Sequence, residues 1–300
     1  MALSHDPLWP RAGSWPAFDA GADAVLLGVP AWRTSLSPTG AHATPAAVRE
    51  ALARYSATLM GPPVVDLNAA LRIADAGDVT DPDTAQGVEA TVARVRELSS
   101  AFVIALGGDN SVTYPVARGA GATGLITFDA HFDLRDGVSN GSPVRRLVQD
   151  APNAERIDPR RIVQIGIADF ANSRAYARRA QEWGIRVITI DELRRRGIDD
   201  VAAEAVEIAG AGGEARIHLD VDVDVADRSV APGCPASLPG GLQAWELRAL
   251  ARAVASDHRV VSADLVEVDA SADVADQRTV RLTALCVLEL LAGLASRERR

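Results

Sequence analysis

Short apolar, β-branched runs alternate along the chain with Ala/Arg/Glu-rich stretches of helical length. The apolar runs predict strands at 24–29, 64–67, 72–76, 102–106, 124–128, 161–167, 185–190, 215–225 and 259–268. The stretches between them predict helices over 44–55, 83–99, 172–183, 191–197, 200–209, 242–255 and 277–295, the first with Pro45 in its opening turn. Continuously apolar strands that each lead into a helix predict an α/β protein: a three-layer α/β/α arrangement with a mainly parallel central sheet. No polar or Pro/Ser-rich linker divides the chain, so residues 1–300 read as a single domain. Ligands of such sheets gather at the carboxyl ends of the strands, and the polar residues of this chain are concentrated there.

The run 124–128 ends in Asp129-Ala130-His131-Phe132-Asp133. On an extended segment Asp129, His131 and Asp133 project to one side. A second cluster, His218-Leu219-Asp220-Val221-Asp222-Val223-Asp224, alternates polar with apolar residues, which predicts one acidic face on a buried strand. Several buried carboxylates repel one another and either stay protonated or need cations. A third element, Gly107-Gly108-Asp109-Asn110-Ser111, follows the run 102–106 and is a tight turn leading into a helix. Mostly carboxylates with one imidazole favours a hard ion such as Mn or Mg over Zn. Gly119-Ala120-Gly121-Ala122-Thr123-Gly124 matches G-x-G-x-x-G but precedes a strand instead of leaving one, so it reads as a loop. His218 reads as a hydrogen-bonded core histidine.

Composition narrows the chemistry. All 31 basic residues are Arg; without Lys there is no Walker A loop, Schiff base or pyridoxal-phosphate anchor. The net charge of -9 disfavours nucleic acid as a partner. No apolar run reaches the roughly 18 residues of a membrane span, and the first seven residues do not resemble a secretory signal. Two cysteines are too few for a disulfide framework, which points to the cytoplasm.

Over nearly its full length the chain resembles the ureohydrolase superfamily of arginases, agmatinases and formimidoylglutamases. The resemblance lies in Gly28-Val29-Pro30, Gly40 to Arg49, Asp129-Ala130-His131-Phe132-Asp133, Asp222-Val223-Asp224 with Ala231-Pro232-Gly233 and Gly240-Gly241-Leu242, and Leu265-Val266-Glu267-Val268. From the residues alone, Asp220/Asp222 or Asp222/Asp224 could be the ligand pair; the family spacing to Asp227 and Ala231 selects Asp222/Asp224. The resemblance implies an arginase-like fold, a homo-oligomer, and two Mn2+ ions per chain, bridged by Asp129 and Asp222. His131 and Asp224 would complete one ion and Asp133 the other, with Asn110 at a ligand position of the first metal. Asn110 stands where relatives carry His, which weakens that position. The implied reaction is hydrolysis of a C–N bond in a linear amidine by a metal-bridging hydroxide, with Glu267 holding the cationic N–H groups and Asp133 transferring the proton.

Within the superfamily, Asn140-Gly141-Ser142-Pro143-Val144-Arg145 and Phe170-Ala171-Asn172-Ser173 are similar to formimidoylglutamases. Arg135 and Arg145 would bring positive charge to an acidic site, as a dicarboxylate requires. The expected substrate is therefore N-formimidoyl-L-glutamate, with Arg135, Asn140, Ser142, Arg145 and Glu267 as binding residues and L-glutamate and formamide as products, a step of histidine degradation. The alternatives are another guanidino-acid hydrolase, such as an agmatinase, arginase or guanidinobutyrase, and a metal-poor binding protein without turnover. Metal content separates the last from an enzyme.

Overall fold

A computed structural model describes residues 6–212 and 214–297. The strands are β1 (Ala24–Val29), β2 (Thr58–Leu59), β3 (Val65–Asp66), β4 (Ile73–Asp78), β5 (Phe102–Gly107), β6 (Gly124–Phe128), β7 (Ile162–Ile167), β8 (Arg186–Thr189), β9 (Ile217–Asp222) and β10 (Val260–Val266). The helices are α1 (Thr44–Leu52), α2 (Leu67–Ala70), α3 (Ala85–Leu98), α4 (Thr113–Gly119), α5 (Pro143–Gln149), α6 (Arg174–Trp183), α7 (Ile190–Arg196), α8 (Ile198–Ala209), α9 (Ala244–Ala255) and α10 (Arg278–Ala295). Eight strands form one sheet in the order β4-β1-β5-β10-β9-β6-β7-β8, and every pairing in it is parallel. The short pair β2–β3 is antiparallel.

The two faces of the sheet bury different stripes. On one, Leu26, Ile104, Ile126, Val163, Leu219 and Ala263 pack with apolar residues of α1, α8, α9 and α10. On the other, Val25, Leu27 and Val103 pack with α3 and α4, while Leu125 and Ile162 pack with α4, α5 and α6. This two-sided burial accounts for the unbroken apolar character of the strands. Among the described residues no helix is long and apolar enough to cross a membrane; residues 1–5 lie outside them.

Several expected elements differ, each for a local reason. The stretch 64–67 gives only Val65–Asp66, because the Asp66 side chain accepts the Asn68 N–H and starts α2. Thr84, Ser173 and Thr189 likewise cap α3, α6 and α7, fixing starts slightly different from those expected. The run 215–225 stops at Asp222. There the chain turns into a short 3-10 segment, Val223–Val225, and the Asp222 side chain accepts the Asp224 N–H.

Turns at the strand ends bring the candidate residues together. Gly108 lies so close to the exit of β1 that a Cβ would meet the Ala31 carbonyl oxygen at 2.0 Å. Its own carbonyl accepts the Glu267 N–H at 2.9 Å, tying the ends of β5 and β10.

Candidate metal centre

Adjacent strands β6 and β9 deliver the candidate donors to the carboxyl edge of the sheet. Two groups of donors lie within 4.8 Å of one another: Asp129, His131 and Asp224, and Asp129, Asp133 and Asp222. Asp129 belongs to both. His131 Nδ1 stands 3.0 Å from Asp224 Oδ2 and 3.5 Å from Asp129 Oδ1. Asp224 reaches the group through the turn after Asp222, not as the next outward position of an extended strand. Asp133 reaches it from a left-handed backbone, φ 52°.

Packing these acids together raises their proton affinity. Burial, and then Asp224, pushes Asp129 up to about 6. Burial raises Asp133 and Asp222 well above the usual carboxylate range, helped by Asp129 in the first case and Asp224 in the second. For His131, burial opposes the charge, but contacts with Asp129 and Asp224 outweigh it and push it up to about 12. The carboxylate-rich donor set fits a hard divalent ion, and Asp129 Oδ2 is buried there without a hydrogen-bond partner.

A metal ion needs these carboxylates ionised and the imidazole neutral, so its uptake displaces protons held at neutral pH. Mn2+ affinity of the bare protein is therefore expected to rise as pH goes from 6 to 8, with proton release. Calorimetry in buffers of different ionisation enthalpy measures this; a pH-independent affinity without proton release contradicts it.

Asn110 is at the site, and its amide hydrogen-bonds the acids there. Its Nδ2 donates to Asp133 Oδ2 (2.7 Å) and Asp222 Oδ2 (3.0 Å), while its Oδ1 accepts the Thr113 hydroxyl (2.6 Å). The amide thus braces Asp133 and Asp222. Asp109 is taken up by Ser35 and Ser111.

Glu267 sits across from the acids, also left-handed at φ 61°. Its Oε1 accepts the Asn110 N–H (2.8 Å) and Asn140 Nδ2 (2.7 Å). Burial, and then Asp109, pushes it up to about 8. A cavity of about 600 Å³ opens above these groups, lined by His131, Asp133, Asp222, Asp224, Asn140 and Glu267, with Arg135, Tyr176 and Arg179 among its other walls. The exposed Arg135 guanidinium makes no hydrogen bond or ion pair among the described residues.

Arg145 and Ser142 do not line this cavity. The Arg145 guanidinium is buried, with Nε on the Arg135 carbonyl, Nη2 on the Gly137 carbonyl and a two-pronged pair to Asp150. It shapes the loop that carries Arg135. The Ser142 hydroxyl donates to the Ser139 carbonyl and accepts the Ser139 N–H, closing a turn. Neighbouring Arg146 is also buried, its guanidinium carbon 3.7 Å from the centre of the Tyr114 ring.

One row deeper in the sheet, His218 joins Ser262 (2.8 Å) and Asp264 (3.1 Å) and is fully buried, as its reading as a core histidine required. Asp220 lies in register with Asp264. Burial, and then Asp264, holds its carboxyl well above the usual range. Sequence reasoning missed Arg179, Gln164 and the bracing role of Asn172. The nearest signal was the stretch Phe170–Ser173.

The sequence profile of the Arginase family matches residues 22–293. The chain belongs to the arginase family. Among its relatives, the formimidoylglutamase of Bacillus subtilis strain 168 is 34% identical over 298 residues, covering 94% of this chain and 90% of that protein. The crystal structure of the B. subtilis formimidoylglutamase superposes with a TM-score of 0.88 at 31% identity, covering 99% of this chain and 95% of that one. A Trypanosoma cruzi formiminoglutamase structure with Mn2+2 gives a TM-score of 0.85 at 25% identity, over 96% of this chain and 99% of that one. The guanidinopropionase of Pseudomonas aeruginosa is 33% identical over 243 residues, covering 77% of this chain and 74% of that protein. For an arginase-family chain, the acids of β6 and β9 are thus placed where a metal ion can be held.

Proposed function

We propose that this protein hydrolyses N-formimidoyl-L-glutamate to L-glutamate and formamide. The observation that carries the reading is the pair of oxygen-rich donor groups sharing Asp129 at the floor of a cavity whose wall holds the unpaired Arg135. The likeness to formimidoylglutamases supports the substrate.

Two Mn2+ ions per chain would be held by Asp129, His131, Asp133, Asp222 and Asp224, supplying Lewis acidity and a water of lowered pKa. Glu267 takes the N–H groups of the amidinium by charge-assisted hydrogen bonds. Asn110 and Asn140 hold Glu267 in place for this. Asp133, a ligand beside that water, collects the proton of the attacking water and passes it to the nitrogen that leaves as glutamate. The C–N bond to that nitrogen breaks, and the former amidine carbon departs as formamide. Arg135 pairs with a carboxylate of the glutamate moiety.

A substrate panel with the Mn-loaded protein tests this. Formimidoylglutamate is expected to be turned over fastest, and Arg135→Ala to raise its KM about 10-fold, the low end of a charged hydrogen bond's contribution. Fastest turnover of agmatine, which has no carboxylate, would overturn the substrate assignment. The likeness to guanidinopropionase favours a second reading, a guanidino acid with one carboxylate for Arg135; the same panel decides between them. We further propose a cytoplasmic homo-oligomer, for which both cysteines being buried and free supports a reducing compartment.

A further inference from the structure

Strands β6 and β7 pair through Phe128 and Ile165. Backbone bonds carry the pairing a little further: Asp129 N–H to the Ile165 carbonyl (3.0 Å) and Ala168 N–H to the Ala130 carbonyl (3.1 Å). Past that point the chain after β7 turns away, with Phe170 left-handed at φ 63°. The ladder nevertheless continues. Asn172 Nδ2 donates to the Ala130 carbonyl (2.8 Å), and Asn172 Oδ1 accepts the Phe132 N–H (3.0 Å).

Those two groups flank His131. A residue of a parallel strand facing His131 would engage the same carbonyl and the same N–H through its own backbone. Ala168 N–H already supplies the bond to the Ala130 carbonyl, so the Asn172 carboxamide adds a second donor there, and its Oδ1 takes the place of the strand carbonyl that would accept the Phe132 N–H. A second carboxamide completes the hold: Gln164 Nε2, on a fully buried side chain of β7, donates to the Phe132 carbonyl (3.0 Å). Both polar backbone groups of Phe132 are thus fixed by side chains from the neighbouring strand and its exit loop. His131 precedes Phe132, and Asp133 follows it in a left-handed conformation that a non-glycine residue leaves readily unless it is restrained.

We propose that Asn172 and Gln164 are positioning residues of the metal centre, two carboxamides that hold Phe132 so that His131 and Asp133 face the ions together. The proposal rests on reading the acidic cluster as a metal centre.

The test is calorimetric Mn2+ titration of metal-stripped wild type, Asn172→Ala, Asn172→Asp and Gln164→Met, with the melting temperature of each bare protein. Mn2+ affinity is expected to fall 10–100-fold in Asn172→Ala and Gln164→Met, the range for partners that orient a metal's ligands. The melting temperature is expected to stay near wild type. Asn172→Asp keeps the acceptor for the Phe132 N–H and loses the donor to Ala130, so its loss is expected to be smaller than that of Asn172→Ala. The paramagnetic resonance spectrum of the Mn-loaded variants is expected to change with the ligand geometry. Affinities within twofold of a wild type that itself binds Mn2+ overturn the positioning role, as does a fall in melting temperature with no change in affinity. A wild type that takes up no Mn2+ overturns the metal reading itself. If Asn172→Ala fails to fold, Gln164→Met and Asn172→Asp decide.

Discussion

Asp222→Asn is expected to lower kcat/KM by about 10³-fold or more, because a metal ion's transition-state stabilisation is worth several kcal/mol and each 1.36 kcal/mol is tenfold in rate. Asp222 ends β9, is 2% exposed, and its Oδ1 accepts the Asp224 N–H while its Oδ2 accepts from Asn110. Asn has the same shape, so the turn after β9 can persist, but one anionic donor of the group with Asp129 and Asp133 is gone. The effect on stability has the opposite sign. In the bare protein Asp222 is one of several buried acids whose repulsion raises their proton affinity. A neutral side chain relieves it, and the melting temperature of metal-free Asp222→Asn is expected to equal or exceed that of wild type. Kinetics, elemental analysis and thermal melts check the three parts. A variant that keeps full metal content and more than a tenth of the turnover contradicts the assignment.

The second large effect is expected at Glu267. Glu267→Gln keeps the length of the side chain and an oxygen for the Asn110 N–H, but presents no charge to an amidinium. A charge-assisted hydrogen bond contributes about 1.5–3 kcal/mol, so kcat/KM is expected to fall about 10–100-fold. Glu267 belongs to neither donor group. Mn2+ affinity should therefore hold, which separates this variant from Asp222→Asn. Unchanged kcat/KM, or loss of metal in proportion to activity, would place Glu267 outside substrate binding.

The candidate donors were legible because polar residues gather at strand ends. Asp129, His131 and Asp133 follow an apolar run that identifies the strand, although β6 stops at Phe128 and Asp133 joins the others from a left-handed backbone. Asp224 lies with the other acids, although an extended strand misplaces it: the hydrogen bond from its N–H to Asp222 turns the chain first. What the sequence hid depends on which strands become neighbours. Asp264 meets His218 and Asp220 only because β10 pairs with β9. Gln164 and Asn172 reach Phe132 only because β7 lies beside β6. Arg145 misled for a related reason. Positive charge near an acidic site suggests substrate binding, but Asp150, one turn along the chain, and two loop carbonyls engage the guanidinium within the protein.

The sheet order also makes the last described strand the keystone of the sheet. β10, the last of the described strands in chain order, occupies the middle of the sheet between β5 and β9. Without it the pairings leave two half-sheets, β4-β1-β5 and β9-β6-β7-β8, with two inner edges open to wrong pairing. Asn110 belongs to the first half, Asp129 and Asp222 to the second, and Glu267 follows the strand that joins them. A chain truncated before Val260 therefore lacks the strand that joins the halves, leaves both inner edges open and divides the residues proposed to form the site.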